Sequence, residues 1–131
     1  VANSISRSLD HLAVAARDAV LRLAIPAINA AVPRTGYRTE LDRSYGPDPR
    51  HKLDLYVPDG VLSSASVLLF FYGGSWQSGS KAIYRAFGQA FACQGIVTAV
   101  ADYRLYPQVR YPDFLDDGAL AFKFLRATAA E

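Results

Sequence analysis

The stretch Ser66–Lys81, SVLLFFYGGSWQSGSK, constrains this chain more than any other. Val67–Tyr72 is an unbroken apolar run of strand-favouring residues. Apolar on both faces, it predicts a central strand covered by helices. It stops at Gly73-Gly74, a short polar loop follows, and Lys81 opens a segment with helical spacing. Strand, glycine turn and helix in that order point backbone N–H groups at an anion beyond the end of a sheet. The anion is either a phosphate or the oxyanion of an acyl-transfer intermediate.

The rest of the chain supplies the other layers. Ser8–Leu23 has Leu9, Leu12, Ala16, Val20 and Leu23 at helical spacing, and Pro26 is expected to end or kink that helix. Residues 1–34 are therefore set apart as an N-terminal helical segment. Thr35–Tyr45 is a poorly patterned strand, and Tyr45–Pro49 is a turn cluster. Lys52–Val57 alternates Leu53, Leu55 and Val57 against Lys52, Asp54 and Tyr56, the period of a half-buried strand paired antiparallel with its predecessor. Lys81–Gln94 reads as a helix with Ile83, Phe87, Ala90 and Phe91 inward, Cys93 buried and Gly95 as its stop. Ile96–Ala101 is a second two-faced apolar strand. Asp113–Ala127 is a helix with Phe114, Leu115, Ala119, Phe122 and Leu125 inward. The fold class is α/β, a mixed and mostly parallel sheet with helices on both faces.

Composition excludes several functions. At 131 residues, 51% hydrophobic and 20% charged, the chain has material for a core. A net charge of +2 with scattered Lys and Arg gives no footing for nucleic acid. No run approaches the about 18 apolar residues that span a bilayer. Val1 rather than methionine opens the chain, so a start further upstream is expected. The compartment is left open between cytoplasmic and, with an upstream signal removed, periplasmic or secreted.

A nucleotide loop fits badly. Gly74 and Gly79 are spaced as in G-x-x-x-x-G-K-[ST], but Ser80-Lys81 reverses the required order. The oxyanion reading fits better, because glycines let backbone N–H groups approach a ligand without a Cβ in the way.

Tyr72-Gly73-Gly74-Ser75-Trp76 resembles the His-Gly-Gly-Gly or His-Gly-Gly-x-Trp motif of α/β-hydrolases of the hormone-sensitive-lipase-like and carboxylesterase groups. Gly79-Ser80-Lys81 is similar to the Gly-x-Lys that follows it there. Asp102–Pro107 matches Asp-Tyr-Arg-Leu-x-Pro, and Tyr111-Pro112 with Asp116 or Asp117 resembles the opening of the next helix. His51–Pro58 is similar to the second strand, and the likeness covers about Gly36–Arg126. The resemblance implies that residues 35–131 are the N-terminal half of an α/β-hydrolase domain, in strand order 1-2-4-3. It makes the N–H groups of Gly74 and Ser75 the oxyanion donors. Tyr72, in place of histidine, braces the loop, and with Gly73 and Trp76 it borders the substrate. Asp102 and Arg104 are then a structural pair. No cofactor and no metal are implied.

No G-x-S-x-G occurs in the sequence, and both histidines, His11 and His51, precede the glycine loop. His11 reads as a helix-surface residue and His51 as flanking a strand. The resemblance therefore implies a serine ester hydrolase whose Ser, Asp or Glu, and His lie on a missing C-terminal part, with this chain inactive alone. The expected partners are that C-terminal half, as a second fragment or chain covering the edge of Val67–Tyr72, and a small-molecule ester. A non-catalytic α/β-hydrolase-like binding module is the alternative.

Overall fold

The computed structural model describes residue 20, residues 23–61 and residues 65–128. The chain divides into two compact units, Val1–Ala31 and Val32–Glu131. In the first unit, Val20 and residues 23–31 are helical (α1, residues 23–31). The helix runs across Pro26 rather than ending there, since proline's own φ suits a helix and only one backbone hydrogen bond is forgone. Val20 and Leu23, expected on a buried face, are exposed. The remainder of the expected Ser8–Leu23 helix, with His11, lies outside the described residues.

The second unit carries β1 (Tyr37–Ser44), β2 (Lys52–Pro58), β3 (Val67–Phe71), a 3-10 turn (Lys81–Tyr84), α2 (Arg85–Ala92), β4 (Val97–Ala101) and α3 (Asp113–Thr128). The four strands form one sheet in the order β1-β2-β4-β3, as the resemblance implied. β1 and β2 are antiparallel, β2 and β4 antiparallel, and β3 and β4 parallel. Leu53 and Phe71 both pair with Ala101. That register brings the β1–β2 turn to the same end of the sheet as the residues that follow β3 and β4.

Two cores lie on the two faces. Leu53, Leu55, Val57, Ala99 and Ala101 pack with Ala121 and Leu125 of α3. Tyr56 and Val100 pack with Tyr37 and with Ala92 of α2. Tyr56, Leu53 and Val100 are fully buried, and each such side chain contributes about 1.5–3 kcal/mol. β2 is thus buried on both faces, not half-buried as its alternation suggested. Asp54 stays inside because an ammonium group meets it there.

Both helices bury faces that differ in part from the expected ones, Leu125 of α3 being buried as expected. α2 buries Gly88, Gln89 and Ala92, while Ile83 and Ala90 are exposed and Phe87 and Phe91 half-buried. The 3-10 turn before it advances each side chain by about 120° instead of 100°, which rotates the face. Gly88 admits the close approach, since a Cβ there would collide with the Tyr56 ring. Cys93 falls just past the helix end and is exposed, not buried. α3 buries Asp117, Ala121 and Leu125. Leu115 and Phe122 point outward at 61% and 56% exposure, and Ala119 is also exposed. β3 lies at the sheet edge among the described strands, with Val67 and Phe71 partly open, as the order 1-2-4-3 implies for this chain.

Candidate active site

β3 ends at Phe71, and the chain turns through Gly73–Ser80 before the 3-10 turn begins. The turn is tightly wound. Gly74, Ser75 and Trp76 have φ of 147°, 53° and 58°. A Cβ on Gly74 would collide with the Ser78 carbonyl oxygen, so glycine is required there for space as well as for φ. Ser75 and Trp76 are not glycines, and holding each at positive φ costs about 1–3 kcal/mol, which the surrounding structure must offset. The Gly74 carbonyl closes the turn by accepting the N–H groups of Gln77 at 3.0 Å and Ser78 at 3.2 Å. Among the described residues, no protein acceptor takes the N–H of Gly74 or Ser75.

Tyr72, Gly73, Gly74, Ser75 and Trp76 all border one cavity of about 450 Å³. Phe71, Tyr103, Phe114, Leu115 and Gly118 complete its walls. A concave, mostly apolar space with a few open donors at the carboxyl end of parallel strands suits a small organic ligand. Trp76 is 58% exposed, stacks on Phe114 at 5.9 Å and walls the cavity. Phe114 and Leu115, expected in the core, stand at this site instead. An α-helix that is apolar on several sides gives no signal of which apolar residues face a cavity.

Tyr72 is buried and stacks on Tyr84 at 5.5 Å. Its hydroxyl donates to Asp102 and accepts from Arg50 Nη2 at 2.8 Å. Its carbonyl accepts the Tyr103 hydroxyl at 2.8 Å. Burial, and then the hydrogen bond to the Asp102 carboxylate, hold the Tyr72 hydroxyl far above the ordinary tyrosine value, so it stays protonated. The side chain is fully engaged in holding the loop, and what it offers the cavity is its place at the loop's entry.

Asp102 and Arg104 do not pair with each other, contrary to expectation. Asp102 also accepts the Lys81 N–H at 2.8 Å, on the side of the 3-10 turn. Arg104 turns to α3 and grips Asp117, with Nη2 at 2.6 Å and Nε at 2.9 Å from Oδ1, while its backbone N–H reaches Oδ2 at 2.9 Å. The chain has left the strand after Ala101, so the two side chains need not share a side: Asp102 meets neutral donors beside the loop, with Arg50 3.7 Å away, while Arg104 meets the Asp117 carboxylate. Both still pin loops, as the structural reading required.

His51 is buried and joins the Asp117 cluster, Nε2 lying 3.0 Å from Oδ1. Its Nδ1 accepts the Asp48 N–H at 3.2 Å, so the ring proton sits on Nε2 and points at Asp117. Among the described residues both ring nitrogens are engaged by Asp48 and Asp117, and no hydroxyl is hydrogen-bonded to the ring, so the pair ties the β1–β2 turn to α3. Burial would raise the Asp117 pKa, but hydrogen bonds from Arg104 and His51 outweigh it and hold the carboxyl below its usual range.

Lys81 settles the phosphate question. It is buried, and Nζ lies 2.6 Å from both Asp54 and Asp42. Asp54 is the stronger anchor, because Asp42 is 71% exposed and solvent screens its charge. Burial would lower the lysine pKa, but the hydrogen bonds to the two carboxylates raise it overall. The ammonium is therefore turned under the sheet's end and unavailable to a phosphate in the loop. Ser80 caps the 3-10 turn by accepting the Ala82 N–H at 3.2 Å. Among the described residues no cluster of His, Cys, Asp or Glu could hold a metal ion, and no helix is long and apolar enough to cross a membrane.

Comparison with known proteins agrees with this fold. Isoprenylcysteine alpha-carbonyl methylesterase of Arabidopsis thaliana is 36% identical over 81 residues, 62% of this chain and 19% of that protein. Esterase LipC of Mycobacterium tuberculosis is 39% identical over 85 residues, 63% of this chain and 21% of that protein. The chain spans about a fifth of the length of the curated relatives it matches. Among solved structures, phosphonate-inhibited esterase B from Lactobacillus rhamnosis superposes with a TM-score of 0.71 at 25% identity, covering 87% of this chain and 38% of that one. A hormone-sensitive lipase from a metagenome library gives 0.63 at 26% identity, covering 83% and 35%. Residues 53–131, more than half of the chain, match the BD-FAE family. With that match and the β1-β2-β4-β3 sheet, the chain belongs to the BD-FAE family, among the α/β-hydrolases of hormone-sensitive-lipase and carboxylesterase type.

Proposed function

We propose that this chain supplies the oxyanion loop of a serine carboxylic-ester hydrolase. The carrying observation is the pair of backbone donors on Gly74 and Ser75, which have no acceptor among the described residues and belong to residues bordering an apolar cavity. In acyl transfer the substrate carbonyl oxygen gains negative charge as the tetrahedral intermediate forms, and donors fixed beforehand stabilise that charge without reorganising. Trp76, Phe114 and Leu115 would hold the apolar part of the ester. The esterase names of the relatives support the same reaction class.

The nucleophile, its acid and its histidine come, in this reading, from polypeptide outside the chain, since the sequence has no G-x-S-x-G. The chain alone is then inactive, and the same polypeptide docks on the open side of β3, where Val67 and Phe71 are partly exposed. The test is p-nitrophenyl acetate hydrolysis by this chain alone and by the protein carrying a G-x-S-x-G segment after it. Turnover by the second and not the first is expected, and no turnover by either removes the proposal. Sedimentation of the isolated chain as a stable monomer would count against the docking at β3.

A further inference from the structure

Arg50 has no part in the reaction described above, and no motif singles it out. It stands in the turn between β1 and β2, and Asp48 shapes that turn. The Asp48 carboxylate accepts the Arg50 N–H at 2.8 Å, and the Asp48 carbonyl accepts the His51 N–H at 2.9 Å. The shared register at Ala101 sets this turn beside the ends of β3 and β4. From there the guanidinium reaches two backbone carbonyls and one side-chain hydroxyl. Nη2 donates to the Tyr72 hydroxyl at 2.8 Å and to the Gly79 carbonyl at 3.2 Å. Nε donates to the Tyr103 carbonyl at 2.7 Å. The two hydrogens of Nη2 thus meet two acceptors, one at the entry and one near the exit of the glycine loop.

We propose that Arg50 is a positioning residue for the oxyanion loop. One planar group ties both ends of the loop to the segment after β4, and so fixes where the Gly74 and Ser75 N–H groups stand. The backbone between those ends is held at positive φ on two non-glycine residues, a conformation that persists only when its surroundings over-determine it. Arg50 supplies that constraint without bordering the cavity. Lysine cannot replace it, because a point ammonium lacks the fork that meets the three acceptors together.

The kinetic arm of the test rests on the esterase reading, and the exchange arm does not. In the complete protein, Arg50→Met is expected to lower kcat for p-nitrophenyl acetate about 10²-fold with KM within about twofold. Affinity for a trifluoromethyl ketone, whose hydrated oxyanion occupies the same donors, should fall by the same factor as kcat/KM. Arg50→Lys should recover little of either. Amide hydrogen exchange at Gln77 and Ser78, whose N–H groups close the loop onto Gly74, should accelerate in both variants while β2 stays protected. If the unaltered protein hydrolyses no ester, the esterase reading fails and the exchange result alone judges Arg50. Unchanged exchange overturns the proposal, and so does kcat within about twofold of an active parent. Failure of both variants to fold overturns it too, because Arg50 would then be holding the domain rather than the loop.

Discussion

Asp117 and Asp102 sit near the same end of the sheet and bind their surroundings in different ways. Asp117, on α3, is sealed from water and spends its oxygens on Arg104 and His51. Those partners belong to the segment after β4 and the turn before β2, so the cluster sews three parts of the domain together. Asp102 is less buried and spends its oxygen on the Tyr72 hydroxyl and the Lys81 N–H, which flank the glycine loop. The first carboxylate secures the fold and the second secures the site. The difference follows from burial: an enclosed charge left without partners is costly enough to unfold a domain, whereas a partly wetted one is better suited to aligning a loop.

The strongest break of that comparison is Asp117→Ala. It should cost about 3–5 kcal/mol, read as a drop in the urea midpoint, because it strands the half-buried Arg104 guanidinium and the buried His51. A loss below about 1 kcal/mol would show that Asp117 is not the fold's anchor. The pH dependence sharpens the same point. The folded pKa of Asp117 lies below its model-peptide value of 3.8, so the unfolded chain binds the proton more readily. Its contribution is complete above that value and is lost as the pH falls through the lower, folded one. Urea midpoints measured from pH 5 downward should therefore fall less steeply in Asp117→Asn than in the parent.

Gly74→Ala should act on the other side of the comparison. The added methyl meets the Ser78 carbonyl and forces the loop open, so under the proposed esterase reading kcat/KM of the complete protein for p-nitrophenyl acetate should fall about 10²–10³-fold, equivalent to about 2.7–4 kcal/mol. The melting temperature should move far less than in Asp117→Ala. A fall in melting temperature as large as that of Asp117→Ala would merge the two regions into one cooperative structure. The smallest effect belongs to Trp76→Ala. An exposed side chain stacked on Phe114 contributes little to folding, so stability should stay within about 0.5 kcal/mol. KM for bulky esters should rise while KM for acetate esters stays, and an equal change in both would remove Trp76 from the apolar wall.

Much of this was legible before any coordinates. The two apolar runs and the paired glycines marked two strands and placed Tyr72–Trp76 on one loop, and the strand order followed from the family resemblance that this loop and the Asp-Tyr-Arg-Leu-x-Pro segment carry. What escaped was every decision about partners. Arg50 is one arginine in a Pro-Arg-His turn, and nothing local marks it as a clamp. Asp54 reads as the polar side of a half-buried strand until Lys81 arrives from 27 residues away. Phe122 and Leu115 read as core because α3 carries apolar residues on several sides, and only the buried Asp117 settles which way the helix is rolled.

By itself the sequence determined the local frame: which segments extend and where glycine must break them. These depend on side-chain period and backbone sterics, which act over a few residues. The tertiary structure decided which charges meet, which helix faces are buried and which side chains hold the loop. Those outcomes depend on strand register across β2, β4 and β3 and on the cost of leaving a buried charge alone, and neither can be summed from near neighbours in the chain.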